Sequence, residues 1–179
     1  WLYKNCVNKI DMMENLSSDL RLFLKENSII NTLELSKKVV FENTTKFLFK
    51  TKDNQFIETV SMIENDKHTI CLSSQVGCSV DCDFCATGKM GFKSSLSVGE
   101  ILDQLIYIKK YMTQPITNIV FMGMGEPFLN YKNVIKSADI MNDSLGLNFG
   151  SNRITISTAG ILPKINQFIN DRKKYNLAI

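Results

Sequence analysis

The chain has 179 residues, 44% hydrophobic and 22% charged, enough for one buried core plus a small appendage, and it reads as globular. No apolar run approaches the length a membrane-spanning helix needs, and WLYKNCVNKI carries polar groups where a secretion signal has an apolar core, so the expected location is the cytoplasm, with no membrane contact. Residues 1 to 66 carry 9 basic and 10 acidic side chains and residues 67 to 179 carry 12 and 8, a bias that permits nucleic-acid binding without demanding it; with only Arg21, Arg153 and Arg172 as arginines, bidentate phosphate recognition is not favoured.

Residues 1 to 44 show a helical pattern. Ser17 or Ser18 can cap a helix whose Leu16, Leu20, Phe23 and Leu24 share one face, and NTLELSKKVV reads as a second helix. TKFLFKT and QFIETVSMI then flank Lys52-Asp53-Asn54 as a predicted β-hairpin. The resulting division is a helical accessory region over 1–50, a hairpin connector over 51–66, and a β/α core over 67–179. Both ends, at Trp1 and at the apolar YNLAI, read as cut.

From residue 67 the rhythm is strand, loop, helix. HTICLSS is a strand, and Ser97-Val98-Gly99-Glu100 is a capping box that opens the helix ILDQLIYIKKYM. TNIVFM is the next strand, followed by a helix capped by Asn130 and stopped at Gly146. RITIS is a third, followed by LPKINQFINDRKK, a helix with a basic last turn, and NLAI begins a fourth strand. Parallel β/α units follow from this alternation, as a barrel cut short or an open sheet. Three unusual loops, the cysteine cluster, GMGEP (123–127) and STAG (157–160), then fall at the carboxyl ends of successive strands, the edge where such folds place their sites.

Four cysteines lie between residues 71 and 85, three of them spaced C-x3-C-x2-C. Thiolates suit zinc or an iron–sulfur cluster. Zinc bound by Cys71, Cys78, Cys82 and Cys85 is one reading, although structural zinc usually uses two separated pairs of ligands; a redox C-x2-C is another, and it leaves Cys78 without a role. An iron–sulfur cluster fits the spacing best. Three thiolates would leave one iron of a four-iron cluster open to chelate a small molecule's amino and carboxylate groups. Gly123 and Gly125 allow close backbone approach, Glu126 can accept from an ammonium, and Ser157 offers a hydroxyl.

Cys78-Ser79-Val80-Asp81-Cys82-Asp83-Phe84-Cys85, with Gly-Glu-Pro after the next strand, resembles the radical S-adenosylmethionine (SAM) superfamily. CLSSQVGC, FCATGKMGF, SLSVGEI, FMGMGEP and ITISTAG, in order, resemble its RlmN-type methyltransferases, which act on carbon 2 of an adenosine in 23S ribosomal RNA and in certain transfer RNAs. The resemblance implies a truncated TIM-like barrel with a [4Fe–4S] cluster on Cys78, Cys82 and Cys85. It implies Phe84 near the adenine of SAM, and Gly125, Glu126 and Ser157 as SAM-binding residues. Cys71 matches the family's second functional thiol and Glu58 its proton acceptor, in a reaction through a methyl-cysteine and a 5′-deoxyadenosyl radical. An electron donor such as flavodoxin and a monomeric state are expected. Two rivals are a sister enzyme acting on carbon 8 and a non-catalytic zinc-stabilised RNA-binding module. This stretch alone is expected to be inactive, since the methylated cysteine of the family lies near its carboxyl terminus.

Overall fold

The computed structural model describes residues 2–179. A 3-10 turn at Ile10–Met12 and the helix α1 (Ser18–Asn27) precede four antiparallel strands: β1 (Leu33–Phe41), β2 (Thr44–Thr51), β3 (Phe56–Glu64) and β4 (Lys67–Cys71). The short strands β5 (Gln75–Val76) and β6 (Ser94–Ser95) pair with each other, and α2 (Val98–Tyr111) leads into β7 (Asn118–Phe121). Then come α3 (Tyr131–Asn142), β8 (Ile154–Ser157), α4 (Leu162–Asn170) and β9 (Asn176–Ala178). The main sheet runs β1-β2-β3-β4-β7-β8-β9, and it is parallel from β4 onward. The β/α units predicted from residue 67 are present, and the sheet is the wall of a partial barrel.

The two faces of this sheet differ sharply. Phe47, Phe49, Ile57, Ile70, Ile119, Phe121, Ile154 and Ile156 are fully buried, as are Ile101, Leu105 and Ile108 of α2 and Val134, Ala138 and Met141 of α3. Along each strand the alternate residues point the other way, and there Glu58, Val60, Thr69, Cys71, Val120, Thr155 and Ser157 are only partly buried. This second face is the inner surface of the barrel wall. A separate small core of Val7, Ile10 and Met13 closes the region ahead of β1.

Five sequence expectations are corrected. NTLELSKKVV is not a helix: Leu33 to Phe41 pairs along β2 over its whole length, with an irregularity between Leu35 and Lys37. Its β-branched Val39 and Val40 suit that pleated surface. The helical accessory region therefore gives way to strands from residue 33, and β2 runs across the expected boundary at 50. Ser17 does cap α1, accepting from Leu20 N–H, but Leu20 and Phe23 remain exposed and only Leu16 and Leu24 pack against the small core. Asn130 precedes α3 without capping it, and α4 ends at Asn170, leaving Arg172, Lys173 and Lys174 beyond the helix. The capping box of α2 is present, with Ser97 accepting from Glu100 N–H and the Glu100 carboxylate accepting from Ser97 N–H.

Candidate functional site

All three singled-out loops meet at the carboxyl ends of β4, β7 and β8. Together they line an open cavity of about 600 Å³ whose walls include Cys78, Cys82, Cys85, Gly125, Glu126 and Ser157. Phe84 stands at its rim with 93% of its surface exposed. The cysteine loop is held by short turns: Cys85 N–H donates to Cys82 C=O, and Gly88 N–H donates to Cys85 C=O. Gly77 has φ +71°, and a Cβ there would lie 1.8 Å from Gly91 C=O, so the two ends of the loop touch through a glycine. Gly88 N–H beside Cys85 favours its thiolate, helped by Thr87 and opposed by burial, so the Cys85 pKa is lowered. A lowered thiol pKa suits metal ligation, which requires the thiolate.

Gly125 adopts φ +95°, and a Cβ on it would lie 2.4 Å from Gln75 Cβ; one on Gly123 would lie 2.7 Å from Leu72 C=O. What approaches these glycines closely is thus the segment after β4. Glu126 is 5% exposed, and both of its oxygens hold backbone donors, Oε1 from Phe128 N–H at 2.9 Å and Oε2 from Ala159 N–H at 2.8 Å. It ties the 123–127 turn to the 157–160 turn, and each oxygen keeps a lone pair for a further donor.

Cys71 and Glu58 lie away from the cavity lining, on the inner face of the wall. Val60 is the partner of Cys71 across the antiparallel β3–β4 pair. Glu58, two residues earlier on the same face, is then diagonal to Cys71, at roughly 7–8 Å. Burial pushes the Cys71 thiol up, only partly offset by a hydrogen bond with the Met122 backbone. The Glu58 carboxylate pairs with Lys46 at 3.2 Å, and its backbone N–H donates to Met124 Sδ at 3.3 Å.

These positions separate Cys71 from the other three cysteines of the 71–85 cluster. Three thiols face one cavity large enough for a polynuclear cluster and a small ligand, while the fourth, Cys71, does not line it. Among the described residues no three His, Cys, Asp or Glu side chains, those of Cys78, Cys82 and Cys85 included, stand close enough to hold a single ion, so side-chain spacing by itself favours neither the zinc nor the cluster reading.

Several contributing residues were not singled out in the sequence. Ser73, Ser74 and Gln75 are at most 1% exposed, and Gln104 is fully buried. Gln104 Oε1 accepts from Thr59 Oγ1 and Ser73 N–H, while its Nε2 donates to Ser73 C=O. Asn130 Nδ2 donates to Ser74 C=O and Leu96 C=O. A glutamine at position 104, on the helical face shared by Ile101, Leu105 and Ile108, was the legible signal.

Three cysteines, a glycine-bearing turn and a dehydrated carboxylate, gathered at the strand ends of a half-barrel, define a β/α protein with a strand-end site for a small molecule. The chain belongs to the radical SAM superfamily, whose sequence profile matches residues 72–177. With that membership come a [4Fe–4S] cluster and SAM as cofactors. It is 43% identical to the probable dual-specificity RNA methyltransferase RlmN of Aquifex aeolicus, over all of this chain and 52% of that protein. It is 45% identical to those of Cytophaga hutchinsonii and Thermotoga maritima, again over all of this chain and over 50% and 53% of theirs. The crystal structure of a radical SAM methyltransferase from Sphaerobacter thermophilus superposes with a TM-score of 0.92 at 38% identity, over 99% of this chain and 53% of that one. The chain spans about half the length of the curated relatives it matches.

Proposed function

We propose that the protein is a radical SAM RNA methyltransferase acting on carbon 2 of an adenosine in 23S ribosomal RNA and in certain transfer RNAs. The observation that carries this reading is the pairing of two sites on one wall: three thiols around the cavity, and Glu58 with Cys71 on the adjoining inner face. An enzyme needing only a cluster and SAM has no use for the second site.

In this reading Cys78, Cys82 and Cys85 hold the [4Fe–4S] cluster, while Gly125, Glu126 and Ser157 bind SAM, with Phe84 against its adenine. When bound, the cluster and SAM supply an electron and a carbon-centred radical, which reach a carbon too poorly nucleophilic for polar methyl transfer. Glu58 accepts the carbon 2 proton, its carboxylate held by Lys46 on the inner face. Cys71 supplies the thiol that releases the base: its sulfur attacks the sulfur of the cysteine joined to carbon 2 through a methylene. The S–CH2 bond breaks with its electron pair passing to the methylene carbon, which takes a proton to become the methyl group, and the two sulfurs remain as a disulfide. The raised pKa of Cys71 keeps it protonated and unreactive until a base is at hand. Around this core, residues ahead of β1 act as an accessory unit, 67–179 as the radical SAM core, and 51–66 as part of the connector between them. The protein works as a cytoplasmic monomer supplied with electrons by a flavodoxin-like donor.

The test uses the full-length protein, reconstituted anaerobically and given SAM, a reductant and ribosomal or transfer RNA. Mass spectrometry of the digested RNA should show 2-methyladenosine, absent with Cys82→Ala. Recovery of 8-methyladenosine would move the assignment to the sister enzyme. An iron-loaded protein that cleaves SAM yet methylates neither carbon would refute the RNA methyltransferase reading.

A further inference from the structure

Two loops that must stand in fixed relation, the cysteine loop and the 123–127 turn, are joined through the segment just ahead of the first, with Gln75 at the junction. Gln75 lies three residues before Cys78 and is 1% exposed. Its Oε1 accepts from Glu126 N–H at 3.0 Å, and its Nε2 donates to Ser95 Oγ at 3.2 Å. Gln75 N–H and Ser74 N–H both donate to Met124 C=O, at 3.1 and 2.8 Å. Gly125 folds directly over the Gln75 side chain, so close that any Cβ would overlap it. Ser73 extends the junction: its Oγ donates to Glu58 C=O and accepts from Met124 N–H.

We infer that Gln75 is a positioning residue for SAM, fixing the Gly125-Glu126 backbone at a set height above the cysteine loop. It touches neither the iron nor the reacting atoms. Its amide oxygen satisfies the Glu126 N–H, and without it that donor is buried without a partner and the residue after Gly125 loses its direct tie to the segment ahead of the cysteine loop. Ligand affinity, rather than cluster assembly, then carries the cost, because the thiols of Cys78, Cys82 and Cys85 are held by their own turns. The inference rests on placing SAM at the 123–127 turn and is independent of which RNA is methylated.

The test compares full-length wild type with Gln75→Met, which keeps the bulk and removes the acceptor, and with Gln75→Glu, which keeps an acceptor. Iron content, SAM dissociation constant and the SAM-induced change in the reduced cluster's paramagnetic resonance spectrum are read for each. Gln75→Met should retain about four irons per chain while binding SAM about tenfold more weakly, with the spectral change reduced at equal SAM. Gln75→Glu should stay within about threefold of wild type, since burial near the Glu126 carboxylate keeps the new carboxyl neutral, with one oxygen to accept from Glu126 N–H and an O–H to replace the amide donor. SAM affinity in Gln75→Met equal to wild type, or an equal loss in both variants, overturns the inference. If Gln75→Met fails to load iron, Gln75→Glu decides: about tenfold weaker binding refutes the role of the acceptor. A wild type that loads iron yet shows no response to SAM would instead refute the placement of SAM.

Discussion

Replacing Gln104 by leucine tests whether the wall and the α2 helix are held together by a polar hub inside an otherwise apolar core. Gln104 is fully buried and makes hydrogen bonds of 2.7 Å with Thr59 Oγ1, 2.9 Å with Ser73 N–H and 3.0 Å with Ser73 C=O. Leucine fills nearly the same space and leaves all three groups without partners. Each stranded buried group costs about 1–3 kcal/mol, so the sum is roughly 3–6 kcal/mol after a modest return from the added apolar surface. That is a large share of the 5–15 kcal/mol typical of a folded domain. The assay is thermal unfolding of the full-length protein, where the loss should lower the midpoint by on the order of 10 °C. Thr59→Val alone and combined with Gln104→Leu completes a double-mutant cycle. The second substitution should cost less in the presence of the first, because both remove the same hydrogen bond. A fall below about 1 kcal/mol for Gln104→Leu, with no coupling to Thr59, would refute the hub.

Gly125→Ala should abolish SAM binding, since it meets both the φ of +95° and the Gln75 side chain, whereas Gly160→Ala, at φ +96° with nothing within 4 Å, pays backbone strain alone, about 1–2 kcal/mol; calorimetric titration of SAM and thermal melts separate the two. Tyr131 donates to Asp171 and Tyr175 to Asp139, and burial chiefly, aided by these carboxylates, raises both phenol pKa values. The folded state therefore keeps protons that the unfolded chain releases, and stability present below the ordinary tyrosine pKa of about 10 should fall as pH climbs beyond it, less steeply in Tyr175→Phe, by denaturant titration across pH 8 to about 11. Burial around Cys71 predicts that its alkylation in cluster-loaded protein reaches half-maximal rate at a pH above the usual thiol value of about 8.5, read by peptide mass spectrometry. Lys46→Met should change stability by less than about 1 kcal/mol, as its pair with Glu58 is half exposed, while lowering methyl transfer.

The β/α rhythm was legible because each of its signals is local: a capping box at 97–100, apolar strands of four or five residues, and unusual loops after each. Leu33 to Phe41 was misread because its spacing serves either period, and only the eight partners along β2 settle it. Asn130 looked like a cap because asparagine before a helix usually is one; here its amide is drawn inward by Ser74 C=O and Leu96 C=O. The cysteine triad declared itself by spacing. Glu58 and Cys71 could not, since their relation exists only once the β3–β4 register places them on one face, and it took family resemblance to mark them. Ser73 to Gln75 escaped notice for the opposite reason, being ordinary residues whose partners lie some twenty to fifty positions away.

Glu126 shows what the site has already done before a ligand arrives. Its carboxylate is stripped of most water and clamped by two backbone amides from different turns. A cationic group entering the cavity finds an acceptor whose dehydration was completed during folding, with its orientation fixed. Recognition there is entropically light, and selectivity falls to shape and charge, since a ligand with no donor gains nothing from these oxygens and a cationic donor gains more than a neutral one.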